Sequence, residues 1–261
     1  NVIASVQNHQ DIVFGNIIGS NNFNLFFILG IAGLITPLVV QSSTAVKEIP
    51  ISFIAAILLF ILANAFLTET AILSRLDGVI LLIFFAGFLY YVYKQLKREP
   101  EKNEVKELKL SNTKIWGLIV LGLAGLVIGG RLVVTSAVDM ATAMGVSEKL
   151  IGLTIIAAGT SLPELATTVV AALKKNSDIA VGNIIGSNIF NIFFILGVSA
   201  VVRPIPFDEI FNIDLYLLFA GTAFLFLAMH TSGKMKLDRW EAAVLLIVFL
   251  AYTGYLVFNE I

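Results

Sequence analysis

The chain has 261 residues, of which 58% are hydrophobic and 13% charged, against about 45–50% and about 25% in soluble globular domains. A soluble domain could not cover itself with so little polar surface. The absence of cysteine excludes a disulfide-stapled secreted scaffold, and 17 Lys and Arg against 18 Asp and Glu exclude nucleic acid as a main partner. The composition leaves a polytopic membrane protein.

Apolar runs near the length needed for a bilayer lie at residues 12–38, 49–67, 79–93, 115–140, 150–173, 179–202, 213–229 and 242–258. A partial run opens the chain at 1–6, and the third run gains length if it starts at Leu76. None alternates with period two, so they read as helices and not as barrel strands. Residues 94–114 form a charged linker with seven Lys and Arg. Placing it in the cytoplasm and alternating outward leaves thirteen of the 17 basic residues in cytoplasmic loops. Only Arg75, Lys149 and Arg203 then lie outside, and Arg131 lies in a span. That asymmetry follows the positive-inside rule and puts the C-terminus outside.

Residues 11–37, DIVFGNIIGSNNFNLFFILGIAGLITP, match residues 178–204, DIAVGNIIGSNIFNIFFILGVSAVVRP, at an offset of 167, with 17 of 27 positions identical. Leu76-Asp77 and Leu237-Asp238 open the last span of each half. The fold is therefore read as two copies of one unit. The loop charges place equivalent turns on opposite sides, so the repeats are expected to be inverted, as in many secondary transporters. The expected division is 1–93 as the remainder of the first repeat, 94–114 as the linker and 115–261 as the second repeat. By the same comparison, about 55 residues that the repeat calls for are expected upstream of Asn1.

The run 150–173 contains Gly159-Thr160-Ser161-Leu162-Pro163-Glu164 at its middle. Gly159 and Pro163 break a helix, and Ser161 with Glu164 has the form of a capping box. A break flanked by apolar residues is tolerated only against protein or a water-filled cavity, and it points to a transporter's binding site. Carbonyls around Ala157 and Thr160 at the end of the first half-helix carry partial negative charge and suit a cation. Glu164 reads as the one carboxylate well inside a span, where it needs a partner, a proton or an ion.

Ser187 and Asn191 lie at i and i+4, as do Ser20 and Asn24, so each pair shares a helix face. Asn21 and Asn188 point elsewhere and are read as structural hydrogen-bonding residues. Gly15, Gly19, Gly182 and Gly186 have the spacing of close helix packing. Glu164 and these neutral oxygens fit one divalent cation or a few monovalent ones, and not an anion. Softer metals would want Cys or His, and His9 and His230 read as loop residues. Asp11 and Asp178 read as N-caps, Arg131 as snorkelling, and Trp116 and Trp240 as interfacial anchors.

GTSLPE with GNIIGSNxFN, repeated in two halves, resembles the cation/calcium antiporter superfamily, and most closely its prokaryotic sodium/calcium exchangers. The resemblance spans the chain and implies an all-α, polytopic membrane protein of two inverted five-helix repeats. Ten helices would be present in the full protein, the first and half of the second being absent here. It implies that Glu164, Ser161, the Thr160 carbonyl, Ser187, Asn191, Ser20 and Asn24 are ion ligands, with the Ala157 carbonyl at an outer sodium site. It also implies a secondary antiporter and no enzyme, with calcium and sodium as transported ions in a lipid bilayer, no resident cofactor and no nucleic-acid partner. The GSN run at 186–188 favours sodium as counter-ion over the proton branch. Asn191, in place of an Asp, argues against potassium co-transport. A proton/calcium antiporter is the alternative. A passive channel would lack coupled counter-flow, and the residue pairs of an intramembrane enzyme are missing.

Overall fold

The computed structural model describes residues 10–41, 43–64, 71–97, 111–145, 155, 157–231 and 235–260. The first passage is a helical rod in three pieces: α1 (Gln10–Asn22), a π turn at Phe23–Ile28, and α2 (Leu29–Ile35). It ends at β1 (Leu38–Val39). A π turn at Thr44–Glu48 leads into α3 (Ile49–Ala63), followed by β2 (Ile72–Leu73) and α4 (Arg75–Leu96). Next come α5 (Asn112–Ala143), α6 (Ala157–Thr160) and α7 (Leu162–Leu173). The second copy of the repeat is α8 (Ser177–Phe190), a π turn at Asn191–Leu196, and α9 (Gly197–Val202). The chain finishes with β3 (Ile205–Pro206), a 3-10 turn at Glu209–Phe211, α10 (Asn212–Thr231), β4 (Lys236–Leu237) and α11 (Arg239–Glu260).

Seven helical stretches among the described residues are long and apolar enough to cross a membrane. They coincide with seven of the eight predicted runs. The exception is 150–173, whose described part is not one span but α6 and the 12-residue α7. The second run is longer at its start than predicted, opening at Thr44, and α3 closes at Ala63 because Asn64 turns extended.

Packing explains why the repeat was kept so alike. Val13, Phe14, Ile17, Ile18, Leu25 and Leu29 are buried, and so are Ala180, Val181, Ile184, Ile185, Ile192 and Leu196, each 167 residues later. The last helix of each half packs on the first passage of the other half, α4 on α9 and α11 on α2. The two contacts match side chain for side chain. Phe85 of α4 meets Phe190 and Phe194 at centroid distances of 5.6 and 5.0 Å. Phe249 of α11 meets Phe23 and Phe27 at 5.6 and 5.4 Å. A Cβ on Gly197 would lie 3.0 Å from Leu82, and one on Gly30 would lie 3.0 Å from Leu246. These mates are 164 apart, so matching Leu76-Asp77 with Leu237-Asp238 is a slip of three residues. The helix starts themselves, Arg75 and Arg239, show the true register.

The strands repeat the pattern, β1 pairing with β4 and β2 with β3, both antiparallel. They also sort the loops. At one end, Lys236 is in register with Val39, Gln41 donates its backbone N–H to Asp178 at 2.7 Å, and Gln95 donates to Ser43 at 3.0 Å. Lys47, Lys94 and Lys97 sit over the rings of Tyr91, Tyr90 and Tyr93. Loops assigned to one side by charge therefore share an end, and Arg75 and Arg203, beside β2 and β3, share the other.

Candidate functional site

α6 ends at Thr160 and α7 starts at Leu162, with Pro163 in the first turn, where its missing N–H is not needed. The break therefore falls on Ser161, between the two expected breakers. Ser161 has φ −100° and ψ 7°, the bridge region and not the extended backbone of an N-cap. Its side chain makes no cap bond, which corrects the capping-box reading. A true capping box forms at α4, where Ser74 N–H donates to Asp77 at 2.8 Å and Asp77 N–H donates to Ser74 at 3.3 Å. Gly159 is required by packing, because a Cβ there would run into Val134 of α5.

A cavity of about 170 Å³ opens at this break, lined by Asn16, Ile17, Ser20, Thr160, Ser161, Glu164 and Asn191. It brings the first copy of the repeat against the α6–α7 break and the second copy. Five predicted residues meet here: Ser20, Thr160, Ser161, Glu164 and Asn191. Thr160 donates its hydroxyl proton to Asn16 Oδ1 at 3.1 Å. Its contact with the Ser20 hydroxyl at 2.9 Å then has Ser20 as donor. Glu164 Oε2 is buried with no hydrogen-bond partner among the described residues. The lining holds one carboxylate, several neutral oxygens and no basic side chain.

A second cavity shares Glu164 and Asn191 and adds Gly182, Asn183, Gly186, Ser187 and Phe190. Ser187 thus joins the cluster from the other side of Glu164. Gly182 and Gly186 have no described atom within 4 Å of where a Cβ would stand. Their expected role in close helix packing is not what the structure shows: they keep this cavity wall low. The tight contacts are made instead by Gly33, Gly78 and Gly221, against Ala242, Gly197 and Phe26.

Asn24 does not line either cavity. It donates to Asn188 Oδ1 at 3.1 Å, and its own Oδ1 is buried without a partner among the described residues. Asn191 lines both cavities with Glu164; α7 also packs on the π turn that holds Asn24, but the Asn24 amide is turned to Asn188. Ala157 opens α6. Asn16 and Asn183 were missed by sequence reasoning. They are 167 apart, and each lies four residues before a repeat serine, so the face-sharing rule applied to Ser20 and Ser187 would have found them. Asn183 donates to Thr168 at 3.1 Å.

Two other carboxylates lie near the starts of their spans, Asp214 in the first turn of α10 and Glu48 ahead of α3. Tyr252 donates to Asp214 at 2.7 Å, and Tyr91 donates to Glu48 at 3.4 Å. Asp178 is not an N-cap. Asn176 takes that position, accepting from Ile179 N–H at 3.5 Å, and Asp178 is drawn to Gln41 instead. His230 lies in the last turn of α10 and not in a loop. His9 and the side chain of Asp11 lie outside the described residues.

Membrane-length helices and one short helix pair broken at a cavity holding a carboxylate give the chain the architecture of a multi-pass secondary transporter. A family model described as sodium/calcium exchanger protein matches residues 1–94 and 114–258. The putative antiporter CaxA of Alkalimonas amylolytica is 38% identical over 98% of this chain and 82% of its own length. The sodium/calcium exchanger MaX1 of Methanosarcina acetivorans is 28% identical over 96% of this chain and 81% of its own. Among solved structures, the sodium-calcium exchanger NCX_Mj, soaked with Na+ and Sr2+, superposes with a TM-score of 0.80 at 29% identity, covering 97% of this chain and 79% of that one. The chain belongs to the sodium/calcium exchanger family.

Proposed function

We propose that the protein is an antiporter exchanging calcium for sodium by alternating access, with Glu164 as the ligand for which the two ions compete. The observation that carries this reading is the carboxylate of Glu164, one oxygen buried without a partner, facing a cavity lined by neutral oxygens. Such an anion in a membrane interior is stabilised by a cation. Calcium takes 6–8 oxygens. Ser20, Asn191, Ser161, Ser187 and the Thr160 carbonyl complete the set, with Asn24 and the Ala157 carbonyl at its margins.

The two repeats are inverted relative to the membrane in this reading. It is supported by the mutual packing of α4 on α9 and α11 on α2, and by the strand pairs at opposite ends. The end bearing Lys47, Lys94 and Lys97 is cytoplasmic by the positive-inside rule, and the C-terminus is outside.

The test is calcium uptake into vesicles holding the intact protein, driven by an outward sodium gradient. Uptake that collapses without sodium, and that is lost in Glu164→Gln, is the expected result. Undiminished calcium flux in sodium-free buffer would select proton coupling, and wild-type exchange in Glu164→Gln would overturn the ligand assignment.

A further inference from the structure

Asn21 and Asn188 occupy equivalent places in the two repeats, 167 residues apart, and are 0% and 1% exposed. Each donates its side-chain amide to the backbone carbonyl of the other, at 3.3 Å and 3.2 Å. A residue bonded to its own repeat mate sits where the two halves meet. With their nitrogens so committed, both amides present their oxygens in fixed directions. Asn191 Nδ2 donates to Asn21 Oδ1 at 3.0 Å, and Asn24 Nδ2 donates to Asn188 Oδ1 at 3.1 Å. Each half therefore holds an amide of the other.

An asparagine amide has two ends of similar shape and opposite polarity. Which end faces a cation decides whether the residue attracts or repels it. Asn191 lines both cavities around Glu164, and its nitrogen is taken by Asn21, so its oxygen is the end left for the cavity. The same arrangement leaves Asn24 Oδ1 buried and unpartnered among the described residues. Resting on the antiporter reading above, we propose that Asn21 and Asn188 are positioning residues. Asn21 locks Asn191 with its carbonyl oxygen toward the cavity, Asn188 holds Asn24 in the equivalent orientation, and together they make cation affinity depend on both halves at once.

Asn21→Ala frees the Asn191 amide to turn and present N–H groups to the ion. Half-saturating calcium for sodium-driven uptake is expected to rise about tenfold, the equivalent of about 1.4 kcal/mol, with the maximal rate within about twofold. Asn191→Asp supplies oxygen at both ends and needs no orientation. In that background Asn21→Ala is expected to shift half-saturation less than twofold. An equal shift in both backgrounds, or none in either, overturns the proposal, because a merely structural defect would ignore what stands at 191. Should Asn21→Ala fail to fold, Asn188→Ala tested with and without Asn24→Asp makes the same comparison on the other half. Loss of exchange in Glu164→Gln with no effect at 21 or 188 sinks the positioning role alone. Wild-type exchange in Glu164→Gln sinks the assignment of Glu164 as the shared ligand instead.

Discussion

At position 78 the side chain is decided by backbone. A Cβ there would stand 2.7 Å from the Gly197 carbonyl oxygen and 2.9 Å from Val201 N, and neither can rotate away. Gly78→Ala is expected to destabilise the protein by about 1–3 kcal/mol, as overpacking does, read as a lower midpoint of thermal unfolding in detergent. The equivalent residue of the other half is Ala242, which Gly33 accommodates by being a glycine itself. Single residues also show where sequence reading succeeds. Glu164, Ser161 and Thr160 stood out because charge and helix breakers are rare inside apolar runs. Asn16 and Asn183 did not, being two polar residues within an already polar repeat. The orientation of Asn24 could not be read at all, since it depends on Asn188, 164 residues away.

Whole helices were legible by length and hydropathy, and their local irregularities were not. The π turns at Phe23–Ile28 and Asn191–Leu196 sit inside continuous apolar stretches, where a change from i+4 to i+5 bonding leaves no trace in composition. They occur in both repeats next to the residues of the site, where π turns are common. The two-residue strands were equally invisible, being too short for any periodicity. Between α10 and α11, the Tyr252–Asp214 bond at 2.7 Å ties an ionisable group to a neighbouring helix away from the cavity. Tyr252→Phe leaves that carboxylate without this donor and is expected to lower stability by about 1–3 kcal/mol, seen in thermal unfolding, while half-saturating calcium stays unchanged. A change in calcium affinity instead would mean that Asp214 communicates with the site.

On the scale of the whole molecule, the charge asymmetry predicts orientation, and the lack of cysteine makes it easy to check. Single substitutions Lys97→Cys and Arg203→Cys are expected to react with a membrane-impermeant thiol reagent from opposite sides of intact cells, Arg203→Cys from outside. Labelling of both from one side would contradict the alternation of spans. Ion binding should also be visible in the fold itself. A ligand bound by the native state alone stabilises it by about 2.7 kcal/mol at 100 times its Kd. Calcium is therefore expected to raise the unfolding midpoint of the wild type and to leave that of Glu164→Gln unmoved. The repeat announced the two-part plan before any coordinates, because burying the same face twice demanded the same residues. It did not announce that each half ends by embracing the other, since that is a property of the assembled chain.

That mutual embrace limits how the protein can move. With α4 lodged on α9, α11 lodged on α2, and strand pairs stitching both ends, the halves are clasped like folded arms. Swinging them apart as two rigid leaves would tear four separate seams together. Among the described residues, α5 takes no part in those four seams. It is exposed along nearly its whole length and rests on α6 and α7, the two short helices beside Glu164. On the antiporter reading proposed above, a rearrangement that spares the clasp would fall on α5.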